Sequence, residues 1–170
     1  MSSAPVVVWF RDDLRIADNP ALCAAADQRA PVIALYVLDE ESSGIRSLGG
    51  AAKWWLHHSL SALQADLADH GIPLVLRHGA APAEVVDIVG QVGAGAVVWN
   101  RRYGGPERSV DTEVKASLSA AGIEVESFAA SLLFEPWMIR TRNGDPYSVF
   151  APFWKACNAA PPPRLPLSVP

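Results

Sequence analysis

Charged side chains follow directly after two apolar runs of this sequence. Arg11 follows residues 6–10, and Arg101 and Arg102 follow residues 96–100. Guanidinium groups in such positions bind phosphate or carboxylate groups, and a neighbouring carboxylate accepts a hydrogen bond from a ring N–H. The alternative is that these charges form surface ion pairs and hold no ligand, as many charged turns do.

The charged positions lie between strands and helices that alternate along the chain. Apolar runs bounded by turn residues predict buried parallel strands at residues 6–10, 31–38, 73–77, 96–100 and 123–128. Helices are predicted over residues 20–29, 51–70, from 82 onwards and over 106–121. The sequence therefore predicts an α/β fold, with a parallel sheet and right-handed crossovers. We expect a Rossmann-like, doubly wound sheet of five strands in the order 3-2-1-4-5 with helices on both faces.

In such a sheet the ligand crevice opens beyond the carboxyl ends of the strands, where the strand order reverses. This crevice is expected between the first and fourth strands, and a flat heteroaromatic molecule suits such a cleft. Arg11 and Lys53 are candidates to face a phosphate or carboxylate, and Asp39 or Glu107 to accept from a ring nitrogen. For each of these residues a structural ion pair is the alternative. The candidate ligand-binding residues are Phe10, Arg11, Asp13, Leu38, Asp39, Lys53, Asn100, Arg101, Arg102 and Glu107.

Composition excludes several classes of protein. The 170 residues suit one compact domain, and the net charge of -4 argues against a generally basic nucleic-acid-binding surface. No signal peptide and no membrane-spanning run is present, and Cys23 and Cys157 are expected as free thiols in a reducing cytoplasm. The four histidines lack zinc-site spacing, and no Gly-x-Gly-x-x-Gly, Walker A or nucleophile-elbow motif occurs. We therefore expect no metal site and no self-contained catalytic centre.

The C-terminal part of the chain differs in character from residues 1–130, which we assign to the α/β domain. Residues 131–158 contain short apolar pieces and are predicted to be irregular. Residues 159–170 are rich in proline and are predicted to form a semi-rigid linker. Because many aromatic residues precede this linker, we expect the chain to be one piece of a larger protein, with the irregular segment leading to an absent helical domain.

Three stretches together resemble the DNA photolyase and cryptochrome family. The first resembles the opening signature of the family, the second its Trp-Trp-Leu helix, and the third the segment that leads towards its helical domain. They lie in the family's order and cover nearly the whole chain, at residues 9–22, 54–60 and 143–155.

The resemblance implies the N-terminal antenna domain of a deoxyribodipyrimidine photolyase. In that family flavin adenine dinucleotide (FAD) and the DNA lesion bind a C-terminal helical domain, so this chain alone is expected not to repair DNA. The implied partners are its own helical domain and, for the full-length protein only, damaged DNA. No membrane partner is expected, and the fragment is expected to be a monomer or weak dimer. A cryptochrome photoreceptor is one alternative, and a universal-stress-type nucleotide-binding protein is another.

The resemblance also suggests which antenna chromophore to expect. Family members that hold methenyltetrahydrofolate use an Asn-Glu pair after the fourth strand, and here the matching pair is Pro106-Glu107. Their histidine after the second strand has no match in residues 42–46. We expect methenyltetrahydrofolate first, with a deazaflavin, FMN or an empty pocket as the alternatives.

Overall fold

The structure, a computed structural model, describes residues 3–170. Strands and helices alternate as predicted through the first three quarters of the chain. The elements are β1 (Val6–Phe10), α1 (Pro20–Asp27), β2 (Val32–Leu38), α2 (Gly50–Asp69), β3 (Leu74–His78), α3 (Ala81–Val92), β4 (Ala96–Asn100), α4 (Gly105–Ala120), β5 (Glu124–Phe128) and α5 (Phe150–Ala159).

The five strands form one parallel sheet in the order β3-β2-β1-β4-β5, which confirms the predicted topology. β1 is central because it pairs with β2 on one side and with β4 on the other. In the second pairing Trp9 lies opposite Trp99, so the two strands end side by side. The strand order reverses at this pair, where the sequence predicts the crevice.

Side chains of the central strands alternate between two apolar layers. Val7 and Trp9 pack with α3 and α4 on one face of the sheet. Val8 and Phe10 pack with α1 and α2 on the other face. Each strand is therefore covered on both sides, which is why the strands read as continuous apolar runs instead of alternating ones.

Helix α2 is buried along only half of its length. Leucines recur every three or four residues along it, but only Leu63 and Leu67 are buried. Trp54 and Trp55, near its start, expose 63% and 70% of their surfaces. The leucine pattern therefore predicts the helix correctly and overestimates how much of it the sheet covers.

Helix α5 was not predicted, because proline residues precede and interrupt its sequence. Pro152 occupies the first turn of the helix, where a backbone N–H has no partner inside the helix, so the ring is tolerated there. Residues 150–158 of the segment predicted as irregular thus belong to a helix. Its aromatic side chains are exposed, and the rings of Phe150 and Trp154 stack at 6.1 Å.

The end of the chain folds back onto the loop before α1. We call residues 164–168 the tail segment. Arg164 Nη1 lies 2.5 Å from Asp18 Oδ1, and the Leu167 N–H donates to the same oxygen at 3.1 Å. The Asp18 N–H donates in turn to the Leu167 carbonyl at 3.0 Å. The hydrogen bond from Arg164 is the largest cause of a lowered pKa for Asp18.

Within residues 3–170 no helix is long and apolar enough to span a bilayer.

Candidate functional site

The fold brings the two charged strand exits together. One guanidinium nitrogen of Arg11 donates to the Asn100 carbonyl, and the other donates to the Asp111 carboxylate on α4. The Arg11 guanidinium also lies 4.4 Å from the centre of the Trp9 ring and 5.9 Å from that of Trp99. Burial lowers the pKa of Arg11, and the Asp111 carboxylate opposes this shift. Arg11 is therefore a buried, paired cation that fixes α4 against the sheet.

Asn100 is the centre of a buried polar network on the α1 side of the same exits. Its Nδ2 donates to Asp13 Oδ2 at 2.5 Å and to Asn19 Oδ1 at 2.8 Å. Its Oδ1 accepts from the Ala21 N–H at 3.2 Å. Asp13 Oδ1 accepts from the Arg11 N–H at 2.9 Å. Each polar side-chain atom of Asn100 and Asp13 thus has a hydrogen-bond partner within the chain. Asn100 and Asp13 therefore join β1, β4 and α1, and their polar atoms are not available to a ligand.

A cleft of about 390 Å³ opens beyond the carboxyl ends of β1, β2 and β4, and we call it the strand-exit pocket. Five predicted residues line it, namely Arg11, Leu38, Asp39, Arg102 and Glu107. The lining residues that sequence reasoning missed are Trp9, Asp12, Tyr36, Val37, Gly44, Ile45, Arg46, Leu48 and Pro106. The strand residues among them lie in apolar runs that predict core, and the loop residues reach the pocket only through the tertiary fold.

The loop after β2 closes one side of the strand-exit pocket against the start of α4. Gly44 has a φ of +78°, and a Cβ placed on it would lie 3.1 Å from Pro106 Cγ. A side chain at this position would therefore be strained and crowded. The positive φ and the close approach of Pro106 were not visible in the Ser- and Gly-rich sequence, although they explain why a glycine occurs here.

Buried polar atoms of the pocket residues lack hydrogen-bond partners among residues 3–170. The donors are Trp9 Nε1, Arg11 Nε and Arg102 Nε, and the acceptor is Asp39 Oδ2. Buried polar groups are normally paired, so the wall of this pocket carries hydrogen-bonding groups that the chain itself does not use.

The pocket side chains include both a hydrogen-bond acceptor and a hydrogen-bond donor. Burial raises the pKa of Asp39, but hydrogen bonds from the Ser42 and Glu41 N–H groups outweigh it, and the net shift is downward. Burial raises the pKa of Tyr36 to about 12, so its phenol stays protonated. At neutral pH the pocket therefore offers a carboxylate acceptor and a phenol donor.

Three other predicted residues do not reach the strand-exit pocket. Phe10 is fully buried on the opposite face of the sheet. Lys53 Nζ pairs with Glu40 Oε2 at 2.8 Å, and this hydrogen bond is the largest cause of the lowered pKa of Glu40. Arg101 Nε pairs with Glu135 Oε1 at 2.8 Å. For Lys53 and Arg101 the structural ion pair, which the sequence left open as the alternative, is what the structure shows.

Comparisons with known proteins bear on the family and the fold of this chain. The sequence model of the family described as "DNA photolyase" matches residues 6–169. The deoxyribodipyrimidine photo-lyase of Agrobacterium fabrum is 45% identical over 170 residues, which are 100% of this chain and 35% of that protein. Cryptochrome-1 of Arabidopsis thaliana is 41% identical over 166 residues, which are 96% of this chain and 24% of that protein.

A solved structure shows the same fold. The bacterial class III photolyase from Agrobacterium tumefaciens superimposes with a TM-score of 0.92 at 43% identity, over 100% of this chain and 35% of that one. The chain thus spans about a third of the length of the photolyases it matches. Because the family match runs through nearly every residue, from β1 to the tail segment, the chain belongs to the DNA photolyase family.

Proposed function

We propose that this chain is the antenna-chromophore-binding α/β domain of a deoxyribodipyrimidine photolyase. The strand-exit pocket supports the proposal, because its unpaired buried donors and acceptor lie where a doubly wound sheet holds ligands. In this proposal the chromophore absorbs near-ultraviolet or blue light and passes the energy to FAD held elsewhere in a longer protein. Because the chain belongs to the DNA photolyase family, we no longer propose a universal-stress-type nucleotide-binding protein.

We propose methenyltetrahydrofolate as the first chromophore to test. Asp39 and Glu107 line the pocket, and no hydrogen bond or ion pair of the Glu107 side chain with residues 3–170 is found. Two carboxylates favour a ring whose edge carries several donors, as the amino group and adjacent N–H of a pterin do. The unpaired donors Trp9 Nε1 and Arg102 Nε favour instead a ring edge with two carbonyl groups, so FMN or a deazaflavin is the second candidate.

The absorption spectrum of the purified protein, with mass analysis of what denaturation releases, tests both candidates. Trp9→Phe removes a donor and keeps a flat ring, and Glu107→Gln removes the free carboxylate. Each is expected to lower chromophore retention by about tenfold, the equivalent of one charge-assisted or buried hydrogen bond. Trp55→Phe is the control, because its ring is 70% exposed on α2. Retention that is unchanged in both pocket variants would contradict the proposed site.

Repair activity and its partners are proposed for a longer protein. The proposed partner within the same protein is a helical FAD domain, and the exposed rings of Phe150 and Trp154 are proposed to contact it. Blue-light splitting of pyrimidine dimers is expected when that domain is present and not with residues 1–170 alone. Splitting of pyrimidine dimers by residues 1–170 alone would refute the proposal that repair requires the helical FAD domain.

The second candidate function is that of a cryptochrome photoreceptor, favoured by the identity of 41% to Cryptochrome-1. The same repair assay separates the two, because a cryptochrome of this kind is expected to leave dimers intact. We further propose a cytoplasmic location, since Cys23 and Cys157 are both free.

A further inference from the structure

A second pocket lies on the other side of the N-terminal turns of α4 and has a different chemistry. It has a volume of about 230 Å³ and opens between α4, the exit of β4 and β5. Arg102, Arg108 and Lys115 line it, with Trp137 beside them. We call it the cationic pocket; of its three cations, only Arg102 also lines the strand-exit pocket.

The positive charge of this pocket is not neutralised within the described chain. Arg102, Arg108 and Lys115 make no side-chain hydrogen bond or ion pair among residues 3–170. The carboxylate that lines the pocket is Asp111, and its two oxygens are already engaged by the Arg11 guanidinium and by Trp99 Nε1. The pocket therefore holds three uncompensated cations, although the whole chain carries a net charge of -4.

The placement of these cations is not that of unrelated surface residues. Arg108 and Lys115 are seven positions apart on α4 and thus lie on one face of the helix. Arg102 follows β4 and lies between the two pockets, lining both the cationic pocket and the strand-exit pocket. Because like charges repel, an anion bound in this cavity would lower the repulsion among the three cations.

An aromatic side chain stands beside the cations. Trp137 exposes 53% of its surface, and its ring lies 6.3 Å from the ring of Tyr103. Arg101, already paired with Glu135, lies 6.0 Å from the centre of the Trp137 ring. A flat ring attached to the bound anion would stack on the exposed part of this indole.

We propose that the cationic pocket binds a phosphate monoester of the mononucleotide class, with the phosphate among Arg102, Arg108 and Lys115 and the base against Trp137. A phosphate offers several acceptor oxygens to guanidinium and ammonium donors that approach from different elements. The volume of the pocket is sufficient for the phosphate and the adjoining part of a mononucleotide. It is too small to enclose a nucleic-acid strand.

Calorimetric titration with AMP, inorganic phosphate and adenosine tests the proposal. AMP is expected to bind more tightly than phosphate, adenosine not to bind, and AMP affinity to fall with rising salt. Arg108→Gln and Lys115→Gln are each expected to weaken AMP about tenfold, as the loss of one charge-assisted contact does. Trp137→Leu is expected to weaken AMP and to leave phosphate unchanged.

The matched controls are Arg142→Gln and Lys155→Gln, which remove the same charges from exposed positions outside the pocket. They are expected to bind AMP as the parent protein does. The proposal is overturned if AMP does not bind, if the controls weaken it as much as the pocket variants do, or if phosphate binds as tightly as AMP. Chromophore retention is measured in parallel and is expected to be unaffected by Lys115→Gln.

Discussion

Removal of the Asn100 side chain gives the sharpest test of how the site is held. Asn100→Ala deletes three hydrogen bonds that join β4 to the β1 exit and to the start of α1. It leaves the Ala21 N–H and one oxygen of Asp13 buried without these partners. The two bonds between neutral groups contribute about 1 kcal/mol each and the one to the carboxylate about 2 kcal/mol, so we expect a loss of about 4 kcal/mol in the free energy of unfolding.

Urea denaturation measures this loss directly. With a slope of about 2 kcal/mol per molar urea, the midpoint should fall by about 2 M. The side chain of Asn100 is 3% exposed, so water cannot replace the lost partners without entering the core. Because total stabilities are about 5–15 kcal/mol, the variant is expected to be folded but close to its limit at room temperature.

Asn158→Ala is the matched control, since its side chain is exposed and donates only to the Trp154 carbonyl within α5, at 2.9 Å. Its effect is expected to stay within about 0.5 kcal/mol. The variant Asn100→Asp keeps the shape and the Oδ1 acceptor but sets a second carboxylate against Asp13, so it should be at least as destabilising at neutral pH. A loss below about 1 kcal/mol in Asn100→Ala would refute the view that this network joins the strand exits.

The remaining predictions concern the contact between Asp18 and the tail segment, and the loop after β2. Asp18→Asn removes the charge that pairs with Arg164 and should weaken the contact with the tail segment, so that tryptic cleavage after Arg164 becomes severalfold faster. Asp27→Asn, at an exposed position of α1, should leave the cleavage rate unchanged. Equal cleavage rates in the two variants would contradict the role of the Asp18 carboxylate. The pKa of Asp18 in the folded protein lies below its usual value of about 3.9. The Asp18 carboxylate should therefore contribute fully to the free energy of unfolding above that pH, and this contribution should be lost as the pH falls through the folded pKa. The carboxyl NMR shift of Asp18 measures this titration. Gly44→Ala should lower the free energy of unfolding by about 1–2 kcal/mol because the residue has a positive φ. Gly49→Ala is the control, because open space surrounds Gly49, and its effect should stay within about 0.5 kcal/mol. Equal effects of the two changes in a thermal melt would contradict this account of the loop.

Local patterns were sufficient for the α/β order of elements. Continuous apolar runs such as residues 6–10 and 96–100 indicate strands covered on both faces, because only parallel sheets between helix layers bury both sides of a strand. Alternation with helices then restricts the topology to right-handed crossovers. Helix α5 was not predicted in this way, because a proline such as Pro152 usually indicates the end of a helix. In the structure Pro152 lies in the first turn of the helix, where proline is tolerated.

The sequence by itself determined the parallel sheet and the charged residues at the ends of its first and fourth strands, and the structure confirms the strand order that we expected. Only the tertiary structure decided which charges face the strand-exit pocket. Arg102 and Glu107 line it, whereas Lys53 is paired with Glu40 and Asn100 is buried in the network around α1. The physical reason is that spacing along the chain fixes the end of a strand, while a polar side chain there turns towards its best partner, and that partner comes from a distant segment.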